Sequence, residues 1–572
     1  VFVLFAALLL YAMTLPPLDD YDEGMYAEIA REMVVTGDWL TPHANGVRHL
    51  DKPPLLFWLM AASYSAFGVS AIAARLPTAL AALWSLLVTY WLGRELYGPR
   101  CGLAAAAILA SFFGFLIYAT VITTDMLFSA LLSTCLLCLL LGYLRGRETH
   151  LTAAFVAAAL ATLAKSPMGI ILPALTFGLF LLATRQRWPW SAGRLTWGAG
   201  LYGLLAVPWF VAAADTNEGF ARFYFLGEHI QRLLNTRPIH DSVPLSLSAF
   251  LGVSLVWLLP WSTFVPQAAR QAARDMGRSG AERGKRARLL LPIWVAVVMI
   301  FFSLVRLRLE NYSLLAWPAA AVLLAALFVG PEGERRHPLS LAWPLAGLLA
   351  LQLLAWLAAT WPESCCDWGR ELIAVVDGHY RTMRHGIYRG ARVVYPDLDR
   401  MLGVVRLILL SLGAGTGAAC LAALARRRAW AVAAISAGML AAFFFTQEGR
   451  VLFGTTRSSS ELAAALRNAG PAAVVCDGPY EKYSSLGFYS GRKLLVLDGR
   501  RGFLEWGSRF PEAAGAFIDR AELARLWQGR GRVFLATDSV DWQQRFEQLG
   551  PVTPVAVSGK AILLTNRAQP GP

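Results

Sequence analysis

The chain has 572 residues, of which 56% are hydrophobic and only 16% charged, and its formal net charge is +14. A soluble globular protein is excluded: such proteins carry about 25% charged residues and do not gather apolar residues into runs that match a hydrocarbon core of roughly 30 Å. The basic excess, 52 Lys and Arg against 38 Asp and Glu, points to a membrane and away from nucleic acid, because basic residues collect in the cytoplasmic loops of membrane proteins.

Taken in chain order, the apolar runs predict an all-α polytopic protein with about thirteen transmembrane helices. They lie at about 1–15, 71–93, 101–118, 126–144, 151–164, 168–184, 195–214, 247–266, 289–305, 312–329, 339–360, 403–425 and 429–446. No small-residue cleavage site follows the first run, which is expected to be a retained helix and not a signal peptide. With the first residue cytoplasmic, every inside loop carries Arg or Lys, from Arg94–Arg100 to Arg426–Arg428. Outside, the stretch from Asp19 to Lys52 holds eight carboxylates against three Lys or Arg, so the positive-inside rule is satisfied.

Two outside segments are too long to be mere connectors. In residues 16–70, Tyr26, Ile29, Ala30, Met33 and Val34 share one helical face and Glu28, Arg31 and Glu32 another, as in a helix lying in the interface. Pro53-Pro54 then introduces Leu55–Phe67, too short to span comfortably and expected to be interfacial or re-entrant. The second long segment, 361–402, carries adjacent Cys365 and Cys366, one of which is a candidate partner for Cys476; Cys101, Cys135, Cys138 and Cys420 lie in apolar runs as small hydrophobes. After residue 446 the composition turns to soluble-type patterning. Residues 1–446 are therefore expected to form a membrane domain, and 447–572 a small extracytoplasmic α/β domain. That domain has strands at Ala472–Cys476, Lys493–Leu497 and Val533–Ala536, and helices at Ser459–Asn468 and Glu522–Gln528.

Ionisable residues are costly near a bilayer, so their placement is informative. They gather at the outward helix ends: Asp22 and Glu23, Asp51 and Lys52, Asp125, Lys165, Glu228 with His229 and Arg232, and Arg306 with Arg308 and Glu310. Groups from distant parts of the chain thus share one depth, which suits transfer of a group from a lipid phosphate. Lys52, Lys165 or Arg306 would stabilise the departing phosphate, and Asp22, supported by Glu23 and Asp125, would serve as base or as the anion facing an oxocarbenium centre. Plainer readings stand beside these: solvated loop carboxylates at Asp22 and Glu23, a local ion pair at Asp51 and Lys52, a helix cap at Asp125, a snorkelling Lys165 and a surface His229.

The segment Asp22-Glu23-Gly24-Met25-Tyr26-Ala27-Glu28-Ile29-Ala30-Arg31-Glu32-Met33, followed by Gly37-Asp38-Trp39 and Asp51-Lys52-Pro53-Pro54, carries more than spacing. It resembles the opening outside segment of the bacterial polyprenyl-phosphate-dependent glycosyltransferases that include 4-amino-4-deoxy-L-arabinose lipid A transferase and are related to protein O-mannosyltransferases. Thr124-Asp125, Ala164-Lys165-Ser166-Pro167, Glu228-His229-Ile230-Gln231-Arg232, Leu259-Pro260-Trp261 and Leu309-Glu310-Asn311-Tyr312 match in the same order, and the resemblance covers roughly residues 16–330.

The resemblance implies a GT-C fold and an undecaprenyl-phosphate sugar donor. It also implies transfer to a lipid, lipid A above all, on the periplasmic face of the bacterial inner membrane. It makes Asp22 and Asp125 the catalytic carboxylates, with Glu23 beside them. Tyr26, Lys52, Lys165, His229, Arg232, Arg306 and Tyr312 are the expected substrate-binding residues. Asp51 and His229 are a candidate pair for a divalent ion, although family members are commonly regarded as needing no metal. Met25 stands where the aminoarabinose enzymes typically have Arg, Asp51 where they usually have Glu, and Ser166 where they have Gly. A protein or another glycolipid is the alternative acceptor. A transporter is the alternative of another class, disfavoured because its ionisable groups would lie at the midplane between repeated halves.

Overall fold

The computed structural model describes residues 1–236, 244–278, 282–330, 339–360, 398–467, 469–539, 541–558 and 561–567. The first helices are α1 (Phe2–Thr14), α2 (Asp22–Thr36), α3 (Leu55–Phe67), α4 (Ala71–Tyr97), α5 (Pro99–Ala110), α6 (Phe113–Tyr118), α7 (Thr124–Arg145), α8 (Glu148–Ala164), α9 (Met168–Ala183) and α10 (Ala192–Thr216). Among the described residues, seven helices are long and apolar enough to cross a membrane, and the pair Leu247–Trp257 and Trp261–Asp275, bent by 105°, makes an eighth if taken as one pass. The other expected segments hold shorter apolar helices, among them α1, α8 and α9. Most of the surface of these helices is apolar, as lipid-facing and bundle-facing sides both require, with buried exceptions such as Arg75 in α4.

Helix α2 begins with Asp22 and Glu23 in its first turn, where carboxylates oppose the positive end of the helix dipole, and ends on Gly37, left-handed at φ 74° with its N–H donated to Met33 O. Its polar face was expected to meet water at the membrane interface. Instead Glu28 and Glu32 are buried, because the C-terminal stretch lies over that face. Arg31 clamps Glu28 through two hydrogen bonds of 2.6 and 2.7 Å, and Glu32 accepts the Gly46 N–H at 3.0 Å.

That stretch carries a six-stranded sheet in the order β5-β4-β3-β6-β8-β7. The strands β3 (Ala473–Asp477), β4 (Leu494–Leu497), β5 (Phe517–Ile518) and β6 (Val533–Thr537) are parallel, and β7 (Thr553–Val557) and β8 (Ile562–Thr565) add antiparallel. The expected strands are the sheet's centre. β5, β7 and β8 escaped the sequence reading because they are two residues long or flanked by polar turns. Asp519 caps the helix Arg520–Gln528 by accepting the Glu522 N–H at 2.8 Å. Cys476 is buried in β3, while Cys365 and Cys366 lie outside the described residues.

The sheet region is bonded to the first outside segment. A small hairpin, β1 (His43–Ala44) and β2 (Val47–Arg48), turns at Asn45-Gly46, both at positive φ as a two-residue turn demands. Asn45 donates to Leu494 O and accepts Leu494 N–H, both at 2.8 Å. Asp20 accepts the Ser485 N–H at 2.6 Å and the Ser459 hydroxyl at 2.8 Å. Phe223 stacks on Trp506 with ring centroids 4.7 Å apart.

Candidate active site

A cavity of about 1350 Å³ lies where α2, the α6–α7 turn, the α8–α9 turn and the segment around Glu228 meet. Asp22 opens onto it from the first turn of α2. The residue before it, Tyr21, has φ 69°, a left-handed conformation costly for a side chain of this size. It is held by its neighbours: Tyr21 N–H donates to Glu481 O at 2.7 Å, and the Ser484 hydroxyl donates to Tyr21 O at 3.1 Å. Asp22 is thus fixed from the C-terminal stretch. Its carboxyl is open to the cavity but enclosed by protein. Burial pushes its pKa up to about 6 against the pull of Lys52.

Three cation–carboxylate pairs line the same cavity. Lys52 Nζ meets Asp51 at 2.8 Å, Lys165 pairs with Asp125, and Arg232 Nη1 meets Glu228 at 2.7 Å. Behind Asp51 stands His49, fully buried, with its ring against the other carboxylate oxygen. Burial alone would raise the Asp51 pKa, but His49 and Lys52 outweigh it and hold the group well below the usual carboxylate range. Lys165 Nζ lies 5.6 Å from the centre of the Tyr312 ring, and Tyr118 donates to Glu310 at 3.3 Å. The segment Arg222–Gln231 forms a π-helix, a wide-turn geometry frequent at functional sites. Tyr224 ties it to the α8–α9 turn by donating to Lys165 O at 3.2 Å. His229 Nδ1 lies 2.7 Å from Tyr224 O, so that nitrogen carries the proton, and the neutral ring keeps its lone pair on Nε2.

A family model described as dolichyl-phosphate-mannose-protein mannosyltransferase matches residues 51–211. The undecaprenyl phosphate-alpha-4-amino-4-deoxy-L-arabinose arabinosyl transferase of Edwardsiella ictaluri is 25% identical over 96% of this chain and 95% of its own length. Its counterpart in Aeromonas salmonicida is 28% identical over 92% and 90%. ArnT from Cupriavidus metallidurans, solved bound to undecaprenyl phosphate, superposes with a TM-score of 0.81 at 24% identity, covering 100% of this chain and 98% of that one. The chain is a membrane glycosyltransferase related to these proteins. Its mostly helical fold is the GT-C fold of ArnT.

Of the residues expected at the transferase's site, Asp22, Tyr26, Asp51, Lys52, Asp125, Lys165, His229, Arg232 and Tyr312 all line the one cavity. Two do not. Glu23 points away into the protein, where Arg75 grips it at 3.1 and 2.8 Å and the Ile122 N–H donates to it at 2.9 Å. One residue along a helix rotates a side chain by about 100°, which is enough to take Glu23 off the cavity wall. Arg306 is exposed, and its backbone N–H joins Leu233 O at 3.0 Å. Met25 is fully buried away from the cavity lining, so an Arg in its place would not simply reach a phosphate there.

His49, Tyr118, Phe503 and Arg450 were missed as cavity or supporting residues. His49 lay two residues from Asp51, near enough to suspect. Phe503 comes from the C-terminal stretch, and nothing local in the sequence points to it.

Asp51 and His229, the candidate pair for a divalent ion, both line the cavity. The Asp51 oxygens already face His49 and Lys52, and among the described residues no three His, Cys, Asp or Glu side chains come together as a metal-binding group. What the arrangement offers chemically is a set of cations held in place before any substrate arrives, beside one raised carboxyl.

Proposed function

We propose that the chain moves a sugar, 4-amino-4-deoxy-L-arabinose by the names of its relatives, from undecaprenyl phosphate to an extracytoplasmic lipid such as lipid A. The observation that supports this most is the single cavity holding Asp22 among Lys52, Lys165 and Arg232, with apolar residues such as Leu233, Leu245 and Phe302 at its edge for a polyprenyl chain. In the reaction the bond between the anomeric carbon and the carrier phosphate oxygen breaks, and its electron pair leaves with the phosphate. The three cations stabilise that growing charge. An acceptor oxygen donates a lone pair to the same carbon. A phosphate acceptor brings no proton, whereas a hydroxyl passes its proton to Asp22. Asp125 holds Lys165 in place, Asp51 holds Lys52, and Tyr26 and Tyr312 shape the pocket around the sugar.

The same reading divides the chain into a membrane domain, residues 1–446, and an extracytoplasmic domain, 447–572. It has thirteen passes and places the cavity at the periplasmic face of the inner membrane. The loop charges and the shorter apolar helices support it. The test is mass spectrometry of lipid A and other envelope glycolipids from cells with and without the gene. A mass increment of one aminopentose on lipid A, lost with the gene and with Asp22→Asn, is expected. Unchanged glycolipids in all three would refute the reading.

A further inference from the structure

The cavity is larger than a single phosphate and sugar require, since small-molecule pockets run to about 1000 Å³. Its charges fall into two groups. One is Lys52, Lys165 and Arg232 with the carboxylates Asp51, Asp125 and Glu228 that pair with them. The other is Arg450, on the cavity wall contributed by the helix Arg428–Arg457, with Asp19 and Arg457 on the cavity and the pair Glu23 and Arg75 off it. The two sets share no residue.

They also differ in how their cations are matched. In the first set Lys52, Lys165 and Arg232 each meet a carboxylate. In the second, Glu23 is taken by Arg75 and Asp19 by Arg457 at 2.9 Å. Arg450 donates only to neutral oxygens among the described residues, Thr120 Oγ1 at 2.9 Å and Gln447 Oε1 at 3.2 Å. A half-buried guanidinium on a cavity wall, lacking a carboxylate in contact, favours an incoming anion. Beside it the wall turns apolar with Val404, Val405 and Ile408 of the helix Leu398–Leu424 and Phe443 of the next helix. Cation and apolar wall together match a phosphate attached to acyl chains.

We propose that the Arg450 and Arg457 end of the cavity is a second anion site, which takes the phosphate of the acceptor glycolipid while Lys52, Lys165 and Arg232 serve the donor. The assignment rests on the transfer reaction proposed above. It places donor and acceptor phosphates in the one cavity that Asp22 lines, so that the sugar carbon can pass from the leaving oxygen to the attacking one. It also selects a phosphorylated acceptor over a neutral glycolipid.

The experiment measures lipid binding to the full chain in nanodiscs, using undecaprenyl phosphate, lipid A with both phosphates, and the same lipid A after phosphatase treatment. Arg450→Gln and Arg457→Gln are expected to weaken lipid A binding at least about tenfold and to leave undecaprenyl phosphate within about twofold of wild type. Arg450→Lys should retain most of the lipid A affinity, Lys52→Ala should show the opposite pattern, and phosphatase-treated lipid A should bind wild type as weakly as lipid A binds the Gln variants. Arg457 is exposed, so its variant stands even where Arg450→Gln fails to fold. Unchanged lipid A binding in both Gln variants would overturn the site, and so would loss of undecaprenyl phosphate binding in them, which would give this end to the donor. Wild type that binds neither lipid would overturn the functional reading itself, whereas binding of both lipids without an effect of the Arg variants overturns the acceptor site alone.

Discussion

Gly24 lies against the backbone of Ser485, so close that a Cβ added at Gly24 would sit 2.5 Å from the Ser485 nitrogen. Two residues along the helix from Asp22, the C-terminal stretch therefore packs on bare backbone, and it also holds Tyr21 on both its N–H and its C=O. Gly24→Ala is expected to lift the two regions apart. Overpacking of this kind costs about 1–3 kcal/mol. Activity should fall at least about tenfold, as when reacting groups are displaced by a fraction of an ångström. Transfer rate and thermal unfolding in detergent check this together; a fully active Gly24→Ala would show that the contact does not position Asp22.

The raised carboxyl of Asp22 sets the acid side of the pH profile. Desolvation favours its protonated form, whereas the carboxylate is the form that faces the positive charge developing on the sugar carbon with either acceptor. As pH falls through about 6, activity should therefore decline, approaching about tenfold per pH unit. Asp22→Asn should lose activity by orders of magnitude together with that acid limb. The sign for stability is opposite: a carboxyl whose pKa is raised by folding stabilises the fold at low pH and loses that contribution as pH rises through about 6, so Asp22→Asn should unfold no more easily than wild type at neutral pH. An acid limb centred near 4 would remove Asp22 from the mechanism.

Glu23 and Arg75 are each only 1% exposed and paired with one another. Breaking such a buried pair from one side costs about 3–5 kcal/mol, because the remaining charge stays desolvated. Glu23→Gln and Arg75→Met should each lower thermal stability strongly, while the double variant should recover part of the loss. A Glu23→Gln protein of normal stability but no activity would return Glu23 to the chemistry.

Met25→Arg should not strengthen donor binding. Met25 is fully buried, so the new guanidinium has neither room nor water there. Poor expression or a lowered unfolding temperature is the expected result, and tighter undecaprenyl phosphate binding would contradict it.

Sidedness is checked with single cysteines at exposed positions, in a background with Cys365 and Cys366 replaced by Ser. Gly515→Cys should react with a membrane-impermeant thiol reagent on intact spheroplasts, whereas Thr149→Cys should react only after permeabilisation. Reaction of Thr149→Cys alone would invert the topology.

Much of this architecture can be read along the chain because a bilayer penalises every polar group within it. Apolar runs therefore mark the helices, and a charge such as Asp125 or Lys165 stands out against them. Local patterns suffice for the same reason in β3, β4 and β6, whose buried central positions demand unbroken apolar runs. The resemblance carried by Asp22-Glu23 and Asp51-Lys52-Pro53-Pro54 led to the cavity residues as well. Partnership was a different matter. Adjacent carboxylates look alike in sequence, yet Asp22 opens onto the cavity, while Glu23 is spent on an arginine 52 residues away. His49 behind Asp51, Phe503 over the cavity and Arg450 on its far wall came into view only with the folded chain. The pairing of charges depends on burial and distance between segments hundreds of residues apart, and periodicity along one helix holds no information about either.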